Sequence, residues 1–235
     1  LNSEIGLKTA KAMAIQLIDG QDHIFISGKK WSGGWKRYLY TKNLTTGNKK
    51  ACLTSFTSHD LGNAVRDSDS LTVDKDGDYI YFARSGNIEG FKLTKTGNNY
   101  CPATSRIRYY THHNSLSTKH RNAKRIQMSR DDVDVMYVTS FRDLVQRVEI
   151  ADHSSLTSIA IAGRNSNTSH KDDDPGTLTS GNISLKNPIA IAVTSTGLYV
   201  GTQNNTVQEF SENNFTAANV DTSWQREYGG LKATR

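Results

Sequence analysis

The chain is poor in the residue types that usually divide or anchor a protein. Its 235 residues include only three prolines, and no linker is rich in proline or in glycine and serine. We therefore expect one domain over residues 1–235, since all-β domains commonly reach this size. No apolar run approaches the roughly 18 residues that a membrane-spanning helix needs, so we expect no membrane span.

Hydrophobic residues are also scarce, at 35% of the chain, against about 45–50% in typical globular domains. Serine, threonine and asparagine fill much of the difference, while tyrosine and β-branched residues recur at regular places. This composition is typical of a loop-rich β protein rather than a disordered chain.

Common catalytic motifs are missing. The sequence has no Gly-x-Ser-x-Gly elbow, no glycine-rich phosphate-binding loop and no cysteine in a reactive setting. We predict no catalytic residues and no cofactor, and the balance favours a protein that is not an enzyme.

What the sequence does contain is a repeated strand pattern. An aromatic residue inside a short apolar run occurs four times, at Phe25, Tyr81, Tyr137 and Tyr199, with intervals of 56, 56 and 62 residues. Each has an apolar run before it and an alternating run after it, which is the pattern of antiparallel strands. The preceding runs cover 14–17, 71–73, 126–128 and 189–193, and the following runs cover 38–40, 88–91, 145–148 and 207–210.

These repeats predict an all-β fold, a β-propeller with four recognisable blades of about 56–62 residues. Joining the residues before Phe25 to those after Tyr199 gives a fourth interval of 61 residues. We therefore expect the two termini to share the closure of the ring. An irregular β-sandwich with evenly spaced strands is the alternative.

The last repeat carries a more specific pattern over residues 161–210. It contains Ile-Ala-Gly at 161–163, an acidic turn at 172–176, Asn-Pro-Ile-Ala-Ile-Ala-Val at 187–193, Gly-Leu-Tyr-Val at 197–200 and Asn-Asn-Thr-Val at 204–207. This pattern resembles an NHL repeat of the β-propeller superfamily, although Ala190 stands where the family usually has glycine. NHL-like propellers include binding modules, receptor domains and metal-dependent lyases or hydrolases, so the resemblance implies a fold more strongly than an activity.

The longest loops of the chain would lie together on a propeller. Loops between blades share a face with the hairpins between second and third strands, and loops commonly carry function. Segments 53–70, 109–124 and 163–186 and the hairpin 29–38 would therefore converge on one loop-rich face. We predict that this face recognises a partner.

The hairpin 29–38 carries two tryptophans, Trp31 and Trp35, on either side of Ser-Gly-Gly. Opposed aromatic residues stabilise a hairpin by about 0.2–1 kcal/mol relative to Ala–Ala, so a self-packed tip is one interpretation. The other is an exposed platform for a sugar ring, a proline or a partner side chain, with Lys36 and Arg37 beside it.

Positive charge is the strongest bias of the composition. The formal net charge is +6, and residues 106–130 contain no acidic residue. RNA, a sulfated polysaccharide or an acidic protein surface could bind such a stretch, with tyrosines stacking on bases or sugars; a solubilising surface is the alternative. The predicted contact residues are Arg106, Arg108, Tyr109, Tyr110, Lys119, Arg121, Lys124 and Arg125.

Histidines in the same loops suggest a metal-binding alternative. Three imidazoles can hold Zn²⁺ with an open coordination position, and the ligands here would be His59, His120 and His170, with Asp172. No local ligand spacing fixes them at one point, so solvated loop histidines are the simpler interpretation.

Only two cysteines occur, Cys52 and Cys101, each shortly after the third strand of neighbouring repeats. They are candidates for a disulfide, which would suit a secreted or periplasmic protein. Two free thiols are the alternative.

We therefore expect a non-enzymatic binding module that recognises a protein, glycan or polyanionic partner with its loop-rich face. A metal-dependent lyase or hydrolase that uses a divalent cation is the first alternative, and an RNA-binding propeller is the second. The sequence leaves the oligomeric state open.

Overall fold

The computed structural model describes residues 9–31, 35–53, 60–84, 87–106, 108–111, 123–129, 135–140, 144–151, 155–163, 188–194, 198–202, 207–210 and 226–228. The chain divides into two compact units, Leu1–Tyr110 and Thr111–Arg235. We predicted one domain over residues 1–235. This depends on how the two units combine, so it stays a prediction. None of the helices in the described ranges has the length and apolar character needed to cross a membrane.

Unit 1, Leu1–Tyr110, contains two antiparallel sheets joined by a short helix. The first sheet consists of β1 (Thr9–Ile18), β2 (Gln21–Trp31), β3 (Trp35–Asn43) and β4 (Lys49–Leu53) in that order. Helix α1 (Asp60–Asp67) follows, and then β5 (Ser68–Val73), β6 (Tyr79–Arg84), β7 (Asn87–Thr96) and β8 (Asn99–Pro102) form the second sheet. A further strand, β9 (Arg108–Thr111), pairs with β7 and reaches the boundary between the units.

Unit 2, Thr111–Arg235, contains the third and fourth sheets. The third consists of β10 (Ala123–Met128), β11 (Val135–Ser140), β12 (Leu144–Ala151) and β13 (Ser155–Gly163). The fourth consists of β14 (Pro188–Val193), β15 (Leu198–Thr202), β16 (Val207–Phe210) and β17 (Arg226–Tyr228). All neighbouring strands in both sheets are antiparallel.

The repeat pattern read from the sequence is confirmed at the level of strands. Phe25, Tyr81, Tyr137 and Tyr199 lie in the second strand of the four sheets, and the apolar runs before and after them form the first and third strands. The fold is therefore all-β and propeller-like. The closed four-blade ring stays a prediction.

We predicted that strands from the two termini would complete one sheet together. The described strands do not show such a sheet. Each of the four sheets takes its strands from one continuous stretch, and β17 completes the fourth sheet by pairing with β16. Because β1 to β4 already complete the first sheet, the described part of the chain contains no sheet built jointly from both ends.

Each sheet has a β-bulge at the same register. The first strand contains one extra residue, which is Lys11, Asp69, Lys124 or Ile189 in the four sheets. In every case the next first-strand residue pairs with the residue two positions after the aromatic anchor, Ser27 in the first sheet, for example. A bulge bends its strand and increases the local twist, so the four sheets share a backbone irregularity as well as a strand order.

The core of unit 1 lies between its two sheets. Alternating residues of each strand point to opposite faces, so Phe25 and Leu39 of the first sheet are buried against Leu71, Phe82 and other residues of the second. The rings of Phe82 and Phe91 meet edge to face, with centroids 5.7 Å apart. This interior is continuous across both sheets, which explains why they form one unit.

Helix α1 is a departure from the sequence-based expectation, which made 53–70 a loop. Its residues Leu61, Ala64 and Val65 are spaced to share one helical face, and all three are buried in the core between the sheets. The backbone N–H of Leu61 also donates to the carbonyl of Thr104 at 3.1 Å. The helix therefore covers the core where the chain passes from β4 to β5.

Candidate functional site

Each sheet has two ends, which we name separately. The loop end is the end where the first strand begins and the second strand ends, and the turn end is the opposite one. The candidate site lies at loop ends. In the first sheet the loop end carries the hairpin between β2 and β3. The register places Trp31 directly opposite Trp35, and the next two pairs are Lys30 with Lys36 and Lys29 with Arg37. The predicted aromatic pair is thus set by backbone pairing, as the last pair of the β2–β3 ladder.

The base of this hairpin is well supported. Tyr38 and Tyr40 stack with their centroids 5.7 Å apart and an interplanar angle of 11°. Tyr38 also packs with Ile24 and Ile26 in a small buried cluster. Burial, with a smaller contribution from Tyr38, raises the pKa of the Tyr40 hydroxyl. The hairpin therefore rises from an ordered aromatic and aliphatic base.

The basic segment begins at a buried carboxylate that the sequence analysis missed. Glu89 of β7 is fully buried, and its Oε2 lies 3.8 Å from Nη1 of Arg106, whose side chain is 36% exposed. Removing a charge from water is costly unless an opposite charge compensates for it. Arg106 is therefore connected to the second sheet through its ion pair with Glu89. Only the exposed part of its side chain is accessible to a binding partner.

Residues 108–110 form part of a strand rather than a loop. Since β8 pairs with β7 only at Leu93–Thr96, the earlier half of that edge of β7 is open to β9. The proximity of Arg106 to Glu89 indicates that β9 begins beside this half. Arg108, Tyr109 and Tyr110 thus lie on a strand of the second sheet, in unit 1 like Trp31 and Trp35.

Two other predicted contact residues lie in unit 2. Lys124 is the extra residue of the bulge in β10. The Nε of Arg125 donates to the carbonyl of Ile189 at 3.2 Å, which joins the third sheet to the first strand of the fourth. Arg125 therefore has a structural contact in addition to its predicted role.

The remaining predicted site residues lie outside the described residues. They are Lys119 and Arg121 of the basic segment, and His59, His120, His170 and Asp172 of the metal alternative. Where the structure does describe the chain, no group of three or more His, Cys, Asp or Glu side chains is arranged to hold a metal ion. Neither the metal alternative nor the expectation of no cofactor is decided by this result.

The predicted disulfide is confirmed. Cys52 and Cys101 are bonded, with their Cα atoms 5.3 Å apart and a sequence separation of 49. Cys52 is the extra residue of a bulge in β4, since Leu39 pairs with Leu53 and Tyr40 with Ala51. The bond joins the outer strands of the two sheets of unit 1 and is compatible with an extracellular location.

A polar cluster at the turn end of unit 1 was also missed from the sequence. The side chain of Asn43 accepts hydrogen bonds from the amides of Thr45 and Thr46, at 3.0 and 2.9 Å, and donates to the carbonyl of Asn98 at 3.3 Å. Its backbone N–H donates to Oδ1 of Asn99 at 3.1 Å. Asn43 therefore shapes the β3–β4 turn of one sheet and binds the β7–β8 turn of the other.

His23 lies beside this asparagine and is almost completely buried. Its ring meets that of Tyr100 edge to face at 5.2 Å, and its Nε2 is 3.4 Å from Nδ2 of Asn43, while its Nδ1 has no hydrogen-bond partner. Burial lowers the pKa of His23, and the nearby carboxylates of Asp19 and Asp22 oppose this only in part. The lowered pKa favours the neutral form of the ring.

Asp19 completes the cluster at the surface. It accepts hydrogen bonds from the hydroxyl of Tyr100 and from Nζ of Lys95, the second at 2.9 Å. The bond from Tyr100, and then that from Lys95, lowers the pKa of the Asp19 carboxyl. These contacts connect the β1–β2 turn to the second sheet. The polar cluster at the turn end therefore holds the two sheets of unit 1 together, and the loop end remains the candidate site.

No protein-family profile and no curated protein sequence matches the chain. Solved structures do match in shape. A crystal structure of the mitotic checkpoint complex contains a chain with a TM-score of 0.50 and 12% identity, covering 86% of this chain and 46% of that one. A proposed 6-phosphogluconolactonase from Bacteroides uniformis matches with a TM-score of 0.53 and 13% identity, covering 94% of this chain and 53% of that one.

These similarities concern the fold alone. At such low identity nothing about ligand or activity carries over. The chain spans about half the length of the structures it matches. Together with the sheet topology, the comparison supports a propeller-like fold.

Proposed function

We propose that the chain is a non-enzymatic binding module, secreted or periplasmic, built on an NHL-like propeller of four blades closed into a ring. Its loop end recognises a protein, glycan or polyanionic partner. The observation that carries the proposal is the cross-strand pairing of Trp31 and Trp35 at the end of the β2–β3 ladder.

Support comes from how this hairpin is built. A binding aromatic residue is most effective when little conformational freedom is lost on association. The stacked pair of Tyr38 and Tyr40 gives the hairpin an ordered base, and Lys36 and Arg37 occupy the adjacent positions of the ladder. Aromatic residues beside cationic ones suit sugars, bases and anionic chains.

The strand β9 adds a second part of the site within the same unit. Arg108, Tyr109 and Tyr110 lie on it, and Arg106 at its start is anchored by Glu89. Placing a basic and aromatic segment on a paired strand gives it a defined position. We infer that a partner contacts both this strand and the Trp31–Trp35 hairpin.

Binding of two anionic chains, heparin and single-stranded RNA, tests the polyanion class without knowledge of the natural partner. Affinity measured at a low and a moderate salt concentration should fall steeply with salt, because cationic side chains release counterions from the bound chain. Replacing both Trp31 and Trp35 by alanine should weaken binding by about tenfold or more, given about 1–3 kcal/mol per stacked ring.

A charge-matched pair of variants separates local contact from net charge. The variant Lys36→Ala with Arg37→Ala removes two positive charges at the loop end and should weaken binding. The variant Lys49→Ala with Lys75→Ala removes two exposed charges at the turn end and should bind like the parent chain. Equal losses in both variants would show that only net charge matters and would refute a site at the hairpin.

The alternatives give different results in the same set of measurements. Binding of RNA with no binding of heparin would favour the RNA-binding propeller. Metal analysis of the untagged protein would favour the lyase or hydrolase if it found zinc near one ion per chain. Absence of binding to both polyanions at low salt would eliminate that class and leave a protein or neutral glycan partner, to be tested with the tryptophan variants.

A further inference from the structure

Residues 98–101 of the β7–β8 hairpin contact the first sheet at the turn end of unit 1. Each of these four residues takes part, through a hydrogen bond, a ring contact or the disulfide, and their partners in the first sheet and its β1–β2 turn are Asn43, His23, Asp19 and Cys52. We call these residues the latch. All of them lie in unit 1, so the latch holds the two sheets of that unit together at the turn end.

Asn43 determines which form of His23 fits the closed latch. Its side-chain oxygen accepts hydrogen bonds from the backbone N–H groups of Thr45 and Thr46, at 3.0 and 2.9 Å, and this fixes the orientation of the amide. The nitrogen Nδ2 is therefore the atom that lies 3.4 Å from Nε2 of His23. Because an amide nitrogen only donates hydrogen bonds, Nε2 fits this contact as the unprotonated acceptor.

The other ring nitrogen of His23 also disfavours a second proton. A neutral ring with an unprotonated Nε2 carries its proton on Nδ1, which is buried and has no hydrogen-bond partner among the described residues. A doubly protonated ring would need an acceptor at each nitrogen, but Nε2 lies beside a donor and Nδ1 has no acceptor among those residues. Since burying a charge without partners is costly, the closed latch favours the neutral ring.

Charged groups act on this ring from both sheets. Asp19 in the β1–β2 turn and Asp22 in β2 favour the protonated ring, while Lys95 of β7 opposes it. The Asp19 carboxylate already accepts hydrogen bonds from Lys95 and from the hydroxyl of Tyr100 in β8. Burial raises the pKa of this hydroxyl, so Tyr100 adds no charge. Burial of the His23 ring outweighs the two carboxylates, since the pKa of His23 is lowered overall.

We propose that the latch is a pH-sensitive switch in which protonation of His23 releases the β7–β8 hairpin from the first sheet. A protonated Nε2 displaces the Asn43 side chain from the ring, and the contacts of Asn43 with residues 98 and 99 are lost with it. The Cys52–Cys101 bond keeps the hairpin attached at its covalent contact, so the opening is local. Because the open state binds the proton more readily, opening increases as the pH falls below about 6.5. This inference does not depend on the proposed binding function.

Amide hydrogen exchange followed by NMR at pH 7.5 and pH 5 tests the switch in the full chain. The backbone N–H groups of Thr45 and Thr46 report on the latch directly, because their acceptor is the Asn43 side chain. Their protection factors, corrected for the intrinsic pH dependence of exchange, should fall by about threefold or more between the two pH values. At pH 5 they should lie at least about tenfold below those of Tyr81 and Phe82 in the core strand β6, since local opening costs less free energy than global unfolding.

Three variants assign the effect to His23. His23→Gln has no proton to gain in this range, and its side-chain oxygen can still accept from Asn43, so the protection factors should be equal at the two pH values. Asp19→Asn removes a carboxylate that favours the protonated ring in the closed latch, so the fall in protection should be larger than in the parent chain. Asp76→Asn removes the same charge from an exposed residue of the β5–β6 turn that is not among the groups acting on His23, and should behave like the parent chain.

Three outcomes would overturn the proposal. The first is equal protection of Thr45 and Thr46 at the two pH values in the parent chain. The second is an equal fall in protection in His23→Gln, which would assign the effect to another group. The third is protection of Thr45 and Thr46 at pH 5 equal to that of Tyr81 and Phe82, which would mean that the latch opens only when the whole unit unfolds.

Discussion

Opening the Cys52–Cys101 disulfide should measurably destabilise unit 1. The bond closes a loop whose ends have a sequence separation of 49. In the chain-entropy account, a loop of this length stabilises the folded state by about 4 kcal/mol at 25 °C, because the reduced unfolded chain has more conformations. Measured stabilisation by disulfides is commonly smaller than this account gives, so we expect the free energy of unfolding to decrease by about 2–4 kcal/mol.

Urea unfolding followed by circular dichroism measures this decrease in the double variant Cys52→Ala with Cys101→Ala. Alanine adds no polar group at Cys101, which is buried, or at Cys52, which is partly buried. A reductant should lower the stability of the parent chain by a similar amount and leave the variant unchanged. The reasoning fails if the double variant loses less than about 1 kcal/mol, or if thiol labelling of the unfolded, unreduced parent chain finds two free cysteines.

Three further predictions concern single residues of unit 1. Because burial lowers the pKa of His23 in the folded state, the unfolded state binds the proton more readily, and the free energy of unfolding should fall as the pH drops below about 6.5. In urea unfolding, His23→Gln should show a smaller decrease in this free energy between pH 7.5 and pH 5 than the parent chain. A Cβ on Gly77 (φ 75°) would lie 2.7 Å from Cγ1 of Ile18, so Gly77→Ala should lower the free energy of unfolding by about 2–4 kcal/mol. Gly47 has the same φ and open space around it, so Gly47→Ala should lower it by only about 1–2 kcal/mol. Equal decreases in melting temperature for the two variants would contradict the steric explanation. Glu89→Ala should cost about 1 kcal/mol, the net value of an ordinary polar contact, because the partly exposed guanidinium of Arg106 can bind water instead. A melting temperature equal to that of the parent chain would show that the ion pair has no structural role.

The strand arrangement could be predicted because its signals are local. An aromatic residue such as Tyr81 or Tyr137 lies in the middle of a strand whose apolar alternation is readable over five or six residues. The position of each cysteine after the third strand of its repeat was enough to suggest the disulfide. Helix α1 was missed because it has only eight residues, although Leu61, Ala64 and Val65 carry the spacing of a helical face.

The polar interior could not be predicted in the same way. Asn43 and His23 have no sequence feature that distinguishes them from surface residues. The contacts that bring them to the second sheet come from residues more than 50 positions away, such as Asn98, Asn99 and Tyr100. Glu89 looks like an ordinary charged residue of an alternating strand, but its neighbours make it buried. Burial of such groups depends on which sheets pack together, and a single sequence does not reveal this.

The bulge shared by all four sheets bears on how the chain arose. Its extra residue is a lysine, an aspartate, another lysine and an isoleucine, so no side-chain chemistry explains why it recurs at one register. Duplication of a single ancestral hairpin unit, followed by divergence of its side chains, would leave behind this pattern. Comparison of distant copies by backbone irregularity, rather than by residue identity, should therefore recognise related blades after their sequences have ceased to match.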